Sequence, residues 1–113
     1  MQKTNNKILC NWILEAIDNI YIYTDSYDKD HFFDDKKTID ACLMQMQHIW
    51  ECIIQLQKTW FDLNITNKDE IVKFRNILSH QYKIIRTWFI RNIVQNDLRL
   101  LEKEIRIVMT KFE

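Results

Sequence analysis

The chain has 113 residues, zero formal net charge, 47% hydrophobic and 28% charged content, which suits one domain over residues 1–113 with a modest core. It holds no glycine and no proline, so tight hairpin turns and glycine-capped helix ends are excluded and a β-rich fold is disfavoured. Charges or amides interrupt every apolar run well short of the roughly 18 to 20 residues needed to span a bilayer, so a soluble protein without a membrane role is expected.

Leu9, Trp12, Ile13, Ala16, Ile17, Ile20 and Tyr21 fall three and four residues apart, which predicts a first helix over about residues 5–23 with this stripe facing the core. The polar stretch TDSYDKDHFFDD at 24–35 reads as a loop, with two aromatic residues packing back onto the body. A second helix is expected over about 37–62, burying Ile39, Leu43, Met46, Trp50, Ile53 and Leu56. After a turn near Asn64 to Asn67, a third helix is expected over about 68–84, with Ile71, Phe74 and Leu78 inward and Ile85 at or past its end. A last helical region over about 87–111 carries Trp88, Ile93, Leu98, Leu101, Ile105, Val108 and Phe112. Four or five such helices joined by short loops imply an all-α antiparallel bundle.

The three cysteines, Cys10, Cys42 and Cys52, are odd in number, form no CxxC pair and follow no signal-peptide pattern. They are expected as small buried apolar residues in a reducing cytoplasm, neither disulfide partners nor zinc ligands. His31 and His48 lack a ligand partner at useful spacing and read as structural or surface residues. Trp12, Trp50, Trp60 and Trp88 are more readily core residues than stacking platforms for bases.

Charge is partitioned along the chain. Residues 1–70 hold seven Lys/Arg against twelve Asp/Glu and residues 71–113 hold nine against four, giving −5 and +5. No acid occurs from Ile71 to Asn96, where Lys73, Arg75, Lys83, Arg86 and Arg91 form a basic strip able to attract phosphates. That strip can equally be a solvated helix face paired with the acidic half of the molecule.

Within it lies FRNILSHQY, residues 74–82. With Leu78 at the centre of the buried face, Phe74 and Ile71 fall within about 40° of it and His80 about 200° away. Ile77 and Ile84 flank His80, so the helix is apolar on two sides and calls for a second layer or a partner subunit over that face. Asn76 and His80 share a face at i, i+4, which lets the amide orient the imidazole. Arg75 and His80 differ by about 140° around the helix and about 7.5 Å along it, and can converge on one phosphate beside it. A histidine that exchanges a proton and an arginine fork that holds a phosphate are the parts phosphodiester cleavage needs, the 2′-hydroxyl of RNA supplying the nucleophile.

FRNILSHQY resembles the RNxxxHxY signature of HEPN-domain ribonucleases, specifically the HepT toxins of HepT/MntA toxin–antitoxin modules. The likeness continues in order through ILEAIDNIYIYT, HFFDDKKTIDACLMQMQHIWECIIQL and IVQNDLRLLEKEI, spanning about residues 8–109. The family's Ile-Gly-Glu-Ala segment is matched at Glu51 but carries Trp50 and Cys52 in place of its glycine and alanine. Lys68 stands where the family has a tryptophan and Gln81 where it has a glycine.

The resemblance implies a cytoplasmic homodimer whose paired RxxxxH motifs cut tRNA or mRNA without metal or cofactor. Arg75 and His80 would be the catalytic pair, Asn76 their polar companion, and Lys73, Lys83 and Arg86 contacts to RNA phosphates. Tyr82 would be the tyrosine that a minimal nucleotidyltransferase antitoxin, MntA-like, silences by adding AMP. The alternative on the same fold is a non-catalytic helical module that docks substrate for a nucleotidyltransferase. An intact RxxxxH motif favours the enzyme, because a docking subunit has no need of that pair.

Overall fold

The computed structural model describes residues 2–25, 36–59 and 96–111. These form three helices, α1 (Gln2–Asp25), α2 (Lys36–Thr59) and α3 (Leu98–Thr110), and no strand occurs among the described residues. The all-α class is therefore as the sequence implies. The expected third helix over 68–84, residues 26–35 of the expected loop and residues 87–95 of the last helical region lie outside the described residues.

α1 exceeds its expected span, α2 begins one residue before its expected start, and residues 60–62 of its expected end lie outside the described residues. α1 runs through Thr24 and Asp25, so the loop assigned to 24–35 begins later than its polarity suggests. The Thr24 hydroxyl folds back onto the preceding turn, within reach of the carbonyl oxygens of Ile20 at 3.0 Å and Tyr21 at 3.3 Å, so its polarity is met inside the helix. α3 ends by a comparable device. The Lys111 N–H donates to Val108 O at 3.1 Å in a tightened last turn, and Thr110 Oγ1 donates to Ile107 O at 2.6 Å. Lys111 keeps right-handed backbone angles, φ −77 and ψ −9, and no described residue has positive φ. The helices thus stop without glycine.

At the other end of α3, Asp97 already has helical angles, φ −73 and ψ −34, and makes no side-chain cap. Residues 96–97 carry a wider, π-type turn. The helical path is entered before Leu98.

α1 contacts both α2 and α3. Trp12 meets His48 and Tyr23 meets Gln45, so later positions of α1 face earlier positions of α2 and the two helices run antiparallel. Leu9, Cys10, Ile13, Ala16, Ile17 and Ile20 of α1 pack in one cluster with Cys42, Leu43, Met46, Ile49, Cys52, Ile53 and Leu56 of α2 and Leu98, Leu101, Ile105 and Val108 of α3. Trp50 is also buried, outside that cluster. At about 100° per residue, the buried positions span about 120° of α1, about 180° of α2 and about 80° of α3. α2 is the most enclosed of the three.

Trp12 departs from the expected core stripe. It is 46% exposed. Its spacing of three from Leu9 and four to Ala16 looks regular, yet it sits about 100° from Ile13, whereas every buried residue of α1 lies within about 60° of it. Tyr21, about 80° away on the other edge, is half-buried. Trp50 and all three cysteines are buried as expected.

Ile105 is fully buried at the centre of the α3 stripe, where truncation leaves a cavity that the surrounding helices cannot close. Ile105→Ala is expected to lower unfolding free energy by about 2–5 kcal/mol in urea titrations, whereas Ile107→Ala, at a position 62% exposed, is expected to change it by less than about 0.5 kcal/mol.

Candidate functional site

Lys73, Arg75, Asn76, His80, Tyr82, Lys83 and Arg86 all lie outside the described residues. The described helices present a different feature, an open groove of about 520 Å³ on the outer side of the α1–α2 pair. Trp12, Glu15, Ala16 and Asn19 line it from α1, and Met44, Gln45 and His48 from α2. It falls within the size range of small-ligand sites, about 300–1,000 Å³.

The groove arises from helix periodicity. Trp12, Glu15 and Asn19 recur at three and four residues on the flank of α1 next to its buried face, and Met44 and His48 do the same on α2. Ala16, 1% exposed, contributes only a methyl group to the floor and leaves room above it. The Trp12 and His48 rings lie 6.1 Å apart between centroids, tilted by 40°. Gln45 Nε2 donates to Tyr23 Oη at 3.5 Å, which leaves the amide oxygen as its acceptor. His48 is exposed, as the sequence implies, but its role as a groove wall was not legible until α1 and α2 were paired.

One contact invites a catalytic reading. His48 Nε2 lies 4.0 Å from Cys52 Sγ, the arrangement of an imidazole that activates a thiol. The electrostatics oppose it. Burial, reinforced by Glu51, pushes the Cys52 thiol from its ordinary 9.0 up to about 11, so thiolate is scarce at neutral pH. Burial likewise raises Cys42 to about 11, and burial with Cys52 nearby raises Cys10 to about 11. These are core thiols. Among the described residues no group of three or more His, Cys, Asp or Glu side chains is placed to hold a metal ion.

The seam between α1 and α3 is mildly polar. Burial first, then Glu102, raises the Tyr21 phenol above its usual value, with Arg99 opposing. Glu102 also pairs with Arg106 at 3.2 Å across one turn, an exposed bridge of the kind that contributes little to stability. No described helix is long and apolar enough to cross a membrane.

The chain was compared with known proteins. The model of a family described as HepT-like, ribonuclease HepT-like, matches residues 13–108. A protein of Methanocaldococcus jannaschii named as a gamma-glutamylcyclotransferase and candidate RNase is 30% identical over 108 residues, which cover 95% of this chain and 49% of that protein. The chain thus spans about half the length of that relative. No solved structure matches it.

The raised thiols give a pH signature. Because the unfolded chain releases these protons near 9.0 and the folded chain only near 11, the unfolded state binds fewer protons between those values. Stability is therefore expected to be intact below pH 9 and to fall as pH rises toward 11. Urea midpoints measured across that range in wild type and in Cys42→Ala should show a shallower decline in the variant.

Proposed function

The chain belongs to the HepT-like ribonuclease family, and from that premise we propose that it is an endoribonuclease toxin acting on cellular RNA in the cytoplasm. The observation that carries the reading is that the family match over residues 13–108 contains an intact RNxxxHxY motif at Arg75, Asn76, His80 and Tyr82. The M. jannaschii relative, itself named a candidate RNase, supports the same class of activity.

In this reading the chain is a single domain, an antiparallel bundle of four to five helices to which α1, α2 and α3 belong, and it works as a homodimer. Arg75 holds the scissile phosphate by its guanidinium fork and offsets the charge that builds on it. The 2′-hydroxyl oxygen attacks phosphorus as its proton is removed, and the bond to the 5′-oxygen breaks as a proton is delivered there. His80 exchanges protons in this cycle, which suits an imidazole near neutrality, and Asn76 one turn earlier orients its ring. Lys73, Lys83 and Arg86 supply positive charge along the RNA backbone, in a stretch of chain with no opposing acid.

The activity is silenced by a partner nucleotidyltransferase that transfers AMP to Tyr82. The phenolate oxygen displaces pyrophosphate from the nucleotide, and the new phosphodiester places negative charge beside Arg75, on the path RNA would take.

Two experiments test this. Purified wild-type protein is expected to cleave single-stranded RNA in the presence of a chelator, and His80→Ala to lower the rate at least about 100-fold while keeping its helical circular dichroism. Equal cleavage by both forms, or none by either, overturns the enzyme reading. After co-expression with a neighbouring nucleotidyltransferase, mass spectrometry is expected to find AMP on the peptide containing Tyr82, and Tyr82→Phe to remain active in its presence. An unmodified Tyr82 rules out that control.

A further inference from the structure

We propose that the groove between α1 and α2 is a docking site for an arginine side chain presented by a protein partner. The inference stands apart from the cleavage residues and does not depend on their assignment.

Two large apolar side chains, Trp12 at 46% exposure and Met44 at 70%, face the same groove from opposite helices. Exposed apolar residues scattered singly call for no explanation, but two converging on one cleft mark a surface that becomes covered. The chemistry of the lining selects what covers it. Among the described residues that line it, Glu15 is the one carboxylate, His48 the one imidazole, and none is lysine or arginine. A nucleic-acid backbone would bring phosphates toward that carboxylate without a compensating cation. A cation is complementary instead.

Among cations, guanidinium fits best. It is planar and weakly hydrated, stacks on an indole, and offers a fork of N–H donors to a carboxylate. Trp12 and Glu15 are three residues apart on one flank of α1, so one group can lie against the indole while donating to the carboxylate one turn away. Asn19 and the Gln45 amide oxygen accept the remaining donors. Met44 is unbranched and adaptable, suited to pack the methylene stem. Ammonium, a compact and strongly hydrated charge, would use the carboxylate but gain less from the ring.

The test follows the indole Nε1–H signal of Trp12 by NMR in the full chain, identified by its loss in Trp12→Phe. A blocked five-residue peptide with a central arginine is titrated, alongside the same peptide with neutral citrulline and a single-stranded RNA oligonucleotide. The arginine peptide is expected to move the Trp12 signal saturably, with binding about tenfold weaker for citrulline and for the peptide against Glu15→Gln. The RNA is expected to leave the signal in place. No movement with the arginine peptide, equal movement with citrulline, or movement by RNA alone overturns the proposal. The peptide comparison uses wild-type protein throughout, so it decides the matter even if a variant fails to fold.

Discussion

The burial of the Leu9 to Ile20 stripe of α1 is the contact on which the rest of the described architecture depends. α1 touches both α2 and α3, so removing that stripe would leave the faces of two other helices open to water at once. Burying a side chain the size of Ile13, Ile17 or Ile20 stabilises by about 1.5–3 kcal/mol, and the three lie within about 60° of one another on the helix. The described Glu102–Arg106 ion pair does not compare with this. It is exposed and contained within a single helix, so it does not tie elements together.

A chain without glycine and proline must end its helices by other means, and the described ends show which. Thr24 and Thr110 turn their hydroxyls back onto carbonyls of the preceding turn, and Lys111 closes α3 with a tightened right-handed turn. Neither device requires positive φ. At the end of α3 the Ile107 and Val108 carbonyls thus find donors without glycine, and α1 runs two residues past the point where polarity suggested a loop.

What the sequence made legible follows from the kind of signal each feature carries. The stripes of α2 and α3 were readable because Leu43, Met46, Ile53 and Leu56, and Leu98, Leu101, Ile105 and Val108, are apolar and sit on coherent arcs. Trp12 misled because spacing of three and four tolerates drift: successive allowed steps can carry a residue to the edge of the face, and a large hydrophobic side chain there reads as core. Ile49 was left out of the expected α2 stripe although it lies on the same arc, between Leu56 and Ile53, and is buried with them. The proposed cleavage pair was legible only by resemblance, as geometry shows that Arg75 and His80 can converge but not that they do. The α1–α2 groove was not legible at all, because it belongs to the pairing of two helices and to neither alone.

The segment that holds the proposed cleavage residues and the α1–α2 groove differ in charge, and that difference bears on how the two proposed partners would be told apart. The segment from Ile71 to Asn96 contains five Lys/Arg and no acid, an environment that gathers phosphates by long-range attraction. The described lining of the groove carries one carboxylate among apolar, amide and imidazole groups, which is too little charge to steer from a distance but enough to select a cation at contact. A polyanion approaching this molecule is drawn to the first and gains nothing at the second. A cationic protein segment experiences the reverse. Partition of charge along a chain of zero net charge thus gives the proposed RNA contacts and the proposed protein contact opposite electrostatic preferences, so that each selects against the other's ligand.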